Sequence, residues 1–124
     1  AGFKELNDEE YSKLKEISYF NEKSLVYDVS VSRYEGIVYF PVAVVRDGRM
    51  LFYYNGGFGK KIKDESALKK IITDSFADQK KQYVVIITTD IDSFVAKAEK
   101  IKKPSEEFIA SDEKIRNILF ELGI

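Results

Sequence analysis

GIVYFPVAVVRDGRMLFYYNGGFGKKIK, residues 36–63, is the stretch that decides the fold. From Ile37 to Val45 it is apolar on both faces: Val38, Phe40, Val42 and Val44 alternate with Ile37, Tyr39, Ala43 and Val45. Such a strand is one that other elements cover on both sides. Pro41 has no N–H to give to a ladder, so a bulge or an unpaired position is expected there. Arg46, Asp47, Gly48 and Arg49 then carry a hairpin signal, because Asp-Gly tolerates the positive φ values of a type I′ turn. A two-residue turn pairs Val45 with Met50, Val44 with Leu51 and Ala43 with Phe52. Met50 to Tyr54 is the return strand.

Working outward towards the N-terminus, Leu25 to Arg33 alternates. Leu25, Tyr27, Val29 and Val31 point one way, and Asp28, Ser30 and Ser32 the other, which predicts a strand with one wet face. Tyr34, Glu35 and Gly36 join it to the hairpin. Asn7 with Glu10 three residues on has the spacing of a capping box. Tyr11, Leu14, Ile17 and Phe20 follow at helical spacing, so a helix is expected over Asp8 to Phe20.

Towards the C-terminus, Asp64 opens a second helix whose inward stripe is Leu68, Ile71, Ile72 and Phe76. Tyr83 to Ile87 is a short continuous apolar run, the pattern of a buried central strand. Thr89 to Asp92 starts a third helix with Phe94, Val95, Ala98 and Ile101 inside, ended by Lys102, Lys103 and Pro104. Ser111 and Asp112 cap a fourth, with Ile115, Ile118, Leu119 and Leu122 on one face. The connection from Lys102 to Ser111 is the expected mobile stretch. The order α-β-β-β-α-β-α-α predicts one α+β domain over residues 1–124, with helices packed on a four-stranded, mainly antiparallel sheet.

Composition excludes much chemistry. The chain has no Cys and no His. Disulfides, thiolate and ordinary zinc sites, thiol catalysis, Ser-His-Asp triads and imidazole bases are therefore ruled out. No apolar run approaches the roughly 20 residues of a membrane span. The expected compartment is the cytoplasm, although the chain starts at Ala1 without Met, which leaves room for a processed segment. Net charge is −1 over 124 residues, unevenly spread. Residues 1–35 hold five basic and eight acidic groups, a balance of −3. Residues 36–63 hold Arg46, Arg49, Lys60, Lys61 and Lys63 against Asp47 alone, a balance of +4. That is a local basic patch, not the basic domain of a dedicated nucleic-acid binder.

Two candidate sites emerge. At the loop after the hairpin, Gly56, Gly57 and Gly59 let backbone amides approach an anion, and Lys60 and Lys61 add charge, with Arg46 and Arg49 in support. The loop lacks the GxxxxGK[ST] spacing of a Walker A motif, and it also reads as a plain strand-to-helix connection. The second site is the aromatic hairpin: Tyr39, Phe52, Tyr53 and Tyr54, with Phe58. If helices cover only one face of it, an apolar patch is left for a protein partner. With Phe40 it could also stack bases. Asp90 and Asp92 could share a cation but also read as helix caps. Asp28 reads as a solvated residue of the first strand.

The strand-loop-helix-strand-helix order from Met50 to Ile101 resembles that of the GNAT acetyltransferases, which hold the CoA pyrophosphate at such a glycine loop. That resemblance implies a CoA-type ligand at Gly56–Lys61. The Arg/Gln-x-x-Gly-x-Gly/Ala pattern of that family is not matched. The order αβββαβ also resembles the core of PD-(D/E)XK nucleases, but Met50 to Tyr54 has neither the carboxylate nor the Lys that family places on its metal-binding strands. The leading expectation is a non-enzymatic binding or accessory module that contacts a protein partner, or a second copy, through the hairpin. It needs no catalytic residue, metal or resident cofactor. The alternative is a phosphate-ligand binder, for nucleic acid or a CoA-type cofactor, at the glycine loop.

Overall fold

The computed structural model describes residues 6–33, 36–55, 70, 72 and 83–121. Helix α1 spans Asp8–Leu14, strands β1, β2, β3 and β4 span Leu25–Arg33, Gly36–Arg46, Arg49–Tyr53 and Val84–Thr88, and helices α2 and α3 span Ile91–Glu99 and Glu106–Glu121. The result is an α+β fold with a mixed, mostly antiparallel sheet in the order β1-β2-β3-β4. The expected helix from Asp64 lies outside the described residues, except that Lys70 and Ile72 are helical. The turn at Tyr34 and Glu35 and the glycine loop Gly56–Lys61 also lie outside them.

The hairpin forms as its turn chemistry dictates. Asp47 and Gly48 have φ of 50° and 74°, and Val45 pairs with Met50, Val44 with Leu51 and Ala43 with Phe52. At the N-terminus the capping box is complete: the Glu10 N–H donates to Asn7 Oδ1 at 2.8 Å, and the Asn7 N–H to Glu10 Oε1 at 3.0 Å. The helix it starts is shorter than expected. After Leu14 the chain continues to Glu22 in tight turns, with N–H groups bonded three residues back.

The β1–β2 ladder departs from simple alternation. Leu25 and Tyr27 lie on one face, as expected. Val29 and Val31, however, join Val26 in the core of the opposite face, and Phe40 and Val38 join Ala43 there. Asp28 and Pro41 stand opposite each other without pairing, while Tyr27–Val42 and Val29–Phe40 pair on either side. Asp28 has φ 56°. One extra residue in each strand therefore reverses the face of both strands together, and the register survives. The missing N–H of Pro41 and the tolerance of Asp for left-handed backbone are the local causes.

Both faces of the sheet are covered. On one, Ile115 and Leu119 of α3, with Ile72, close over Val29, Phe40, Val45, Met50 and Phe52. On the other, Leu14, Ile17, Tyr19, Ile91, Phe94 and Ala98 close over Leu25, Val42, Val44, Leu51 and Tyr53. β4 runs parallel to β3. Among the described residues it is an edge strand and not the expected central one; Val84 is 55% exposed. Its apolar run reflects cover on two faces, which an edge position also allows.

α3 begins five residues before the expected cap, so Ser111 and Asp112 lie inside it. Asp112 is fully buried and accepts three hydrogen bonds: from the N–H of Asp47 at 2.7 Å, the N–H of Gly48 at 3.3 Å and the Tyr83 hydroxyl at 2.6 Å. It caps the β2–β3 turn, not its own helix. Arg116 adds a bond from Nη1 to the Val45 carbonyl at 3.1 Å. The hairpin tip is thus docked on α3 by polar contacts that neither segment announces alone.

Candidate functional site

The two arginines expected to support the glycine loop sit at the β2–β3 turn, where both make contacts within the fold. Arg46 and Arg49 face each other at the closed end of the hairpin. The Arg46 guanidinium lies 4.0 Å from the Tyr19 ring centroid and bonds Glu22 at 2.7 Å, Ser24 at 3.2 Å and the Lys102 carbonyl at 3.2 Å. It is buried, and its Nε and Nη1 are bonded within the fold. Arg49 is exposed and turns back onto Asp47. Both sit at the opposite end of β3 from Tyr53, roughly 14 Å away at strand rise. Gly56, Gly57, Gly59, Lys60, Lys61 and Phe58 lie outside the described residues.

The aromatic hairpin is core. Tyr39, Phe52, Tyr53 and Tyr54 are between 0% and 6% exposed. Because helices cover both faces, these rings present no surface to a partner, and the expected aromatic patch is absent there. Their hydroxyls explain why tyrosine serves where phenylalanine would fill the space. Tyr53 donates to Glu10, Tyr39 to Asp28, and Tyr19 to the Ala98 carbonyl. A buried phenol needs such a partner. Asp28 is thereby more than a solvated strand residue: it holds Tyr39 from the kink.

Burial pushes the Tyr19 phenol up to about 12 from its ordinary 10. Burial first, then the neighbouring carboxylates Glu10 and Asp112, also raise Tyr53 and Tyr83. The folded state therefore holds these protons more tightly than the unfolded chain. Their contribution is complete below pH 10 and is lost as pH rises through the folded-state values. The urea midpoint is expected to fall steeply between pH 10 and pH 12, and less steeply in Tyr19→Phe. An unchanged slope in that variant would show that Tyr19 ionises without resisting unfolding.

Asp90 is the N-cap of α2, accepting from the Ser93 N–H at 3.0 Å. Asp92 pairs with Lys13 at 2.8 Å, which raises the lysine's pKa and ties α2 to α1. The two carboxylates thus have separate structural roles. No group of three or more acidic metal ligands occurs among the described residues. None of the described helices is long and apolar enough to cross a membrane.

What the structure does bring together lies along β1. Among the described residues β1 pairs only with β2. The Val45 N–H donates to the Ser24 carbonyl at 3.0 Å, so in the antiparallel pattern Leu25 and Tyr27 turn their N–H and C=O groups outward. A groove of about 930 Å³ opens on the α3 side of this edge, between Leu25, Tyr27 and the α3 residues Glu113, Asn117 and Phe120. Phe120 is 77% exposed, the largest exposure of any large apolar side chain described. A second pocket of about 360 Å³ opens on the α1 side, lined by Leu6, Tyr11, Tyr27, Asp28 and Pro41. Tyr27 and Asp28 border both. No sequence motif marks this place. The one local signal was Asp28, a turn-former inside an otherwise regular strand pattern.

No protein-family model, no curated protein and no solved structure matches this chain.

Proposed function

We propose that this domain is a non-enzymatic protein-binding module that takes an extended segment of its partner along the outer edge of β1. The observation that carries the reading is the pair of recesses on the two faces of one strand edge. In strand addition the backbone ladder supplies affinity, and alternate side chains of the added segment enter pockets on opposite faces. The outward amide groups of Leu25 and Tyr27 offer the ladder, the α3 groove one set of pockets and the α1 pocket the other. The kink at Asp28 ends the regular edge of β1 after Tyr27 and protects the rest of the strand from edge-to-edge aggregation.

The test is selection of binders from a random linear peptide library, followed by mapping on the isotope-labelled domain by NMR. Selected peptides are expected to shift the Leu25 and Tyr27 amides and to slow their hydrogen exchange. Phe120→Ser should weaken them roughly tenfold, the scale of an exposed aromatic anchor in an interface. Binders that leave β1 untouched and map to Gly56–Lys61, with affinity collapsing at high salt, would support the phosphate-loop alternative instead.

A further inference from the structure

We infer that the segment taken along β1 presents a basic side chain, lysine or arginine, to the pocket formed by Tyr11, Tyr27 and Asp28. The inference rests on the strand-addition reading and specifies its partner. Residues directly opposite each other in a sheet point to the same face, about 5 Å apart. Tyr27 points to the α1 face, where its ring meets Tyr11 with centroids 6.5 Å apart. The partner residue opposite Tyr27 therefore sends its side chain into the pocket of about 360 Å³ that these two rings border.

The chemistry of that pocket suits a cation. Phenol faces carry negative potential and attract ammonium or guanidinium groups. The Tyr11 ring already does so within the fold: Lys15 Nζ lies 5.4 Å from its centroid. Tyr11 and Tyr27 are 43% and 36% exposed, although Phe20 also packs against the Tyr11 ring at 5.8 Å. Asp28 supplies a carboxylate beside the rings, with Oδ1 taken by the Tyr39 hydroxyl. Leu6 and Pro41 line the remainder, a surface on which the methylene stem of a long basic side chain packs. An acidic side chain would meet Asp28 at close range. Lys15 is a competing cation, but it is exposed and can withdraw its ammonium into water.

The experiment uses two acetyl- and amide-capped pentapeptides, Thr-Val-Arg-Val-Thr and the same peptide with norleucine for arginine. Each is titrated into the isotope-labelled domain at low and at high salt. The arginine peptide is expected to bind roughly fivefold more tightly at low salt, the combined scale of an exposed cation–π contact and an exposed ion pair. That preference should shrink in Asp28→Asn and in Tyr11→Leu. Asparagine tolerates the left-handed backbone and still accepts from Tyr39, and Tyr11 is exposed, so both variants keep the fold; their unliganded amide spectra verify it. Equal affinities with shifts still centred on Leu25 and Tyr27 would overturn the basic-side-chain inference and leave strand addition standing. No shift along β1 with either peptide would overturn both.

Discussion

Asp112→Ala is expected to lower the stability of the domain by about 3 kcal/mol. The carboxylate is fully buried and serves three donors, the amides of Asp47 and Gly48 and the hydroxyl of Tyr83. Each buried donor left without a partner costs roughly 1–3 kcal/mol. Removing the charge also returns its own desolvation cost, which keeps the net below the sum. For a chain of this size the loss corresponds to a fall in Tm of roughly 10 °C. Tyr83→Phe removes one donor and leaves the carboxylate on the turn amides, so its cost should be about 1 kcal/mol. Equal losses in the two variants would show that the turn amides are satisfied without Asp112, and the docking of the hairpin on α3 would need another explanation.

The second large effect is expected at Gly48. Its φ of +74° suits glycine in the turn, and a Cβ there would stand 2.7 Å from Cε1 and Cζ of Phe108. Alanine meets two separate penalties: about 1 kcal/mol for left-handed backbone, and the displacement of the Phe108 ring, which also makes an edge contact with Tyr83 at 5.8 Å. Gly48→Ala should cost about 2 kcal/mol in all. The two penalties separate in a double-mutant cycle. In a Phe108→Ala background only the backbone penalty remains, so the cost of Gly48→Ala should fall by about half. An undiminished cost there would show that the ring yields freely and that backbone strain alone acts. Chemical denaturation of the four proteins reads both outcomes.

These two positions lie at one junction, where the β2–β3 turn meets the first half of α3. Asp47 extends the junction, accepting from the N–H and hydroxyl of Ser105 at 3.2 Å and 3.3 Å. The segment from Lys102 to Ser111, expected to be mobile, is thereby pinned to the hairpin tip and partly helical. A loop-like composition, Lys-Lys-Pro-Ser-Glu-Glu, reports local preference only. Partners more than fifty residues away set its order.

The hairpin register, the capping box at Asn7 and Glu10 and the inward faces of α2 and α3 were legible in the chain itself, because each depends on neighbours within a few residues. Asp47-Gly48 specifies its turn through backbone sterics, and that turn alone sets which residues of β2 and β3 pair. Asn7 and Glu10 reach each other across one helical turn. Phe94, Ala98 and Ile101 follow the helical period wherever the sheet lies. Tertiary structure decided the rest, because it turns on what covers what. An apolar run such as Tyr83–Ile87 is the same string in a central strand and in a covered edge strand. Whether Tyr39, Phe52, Tyr53 and Tyr54 face a partner or a core depends on helices that pack on both faces of the sheet, from α1 at one end of the chain and α3 at the other. The reversal of faces at Asp28 and Pro41 needs both residues opposite each other across a ladder, a relation that no local period contains. The recesses along β1 exist for the same reason. Their walls, Tyr11, Tyr27 and Phe120, lie far apart in the chain and meet only because the sheet brings α1 and α3 to the two sides of one strand.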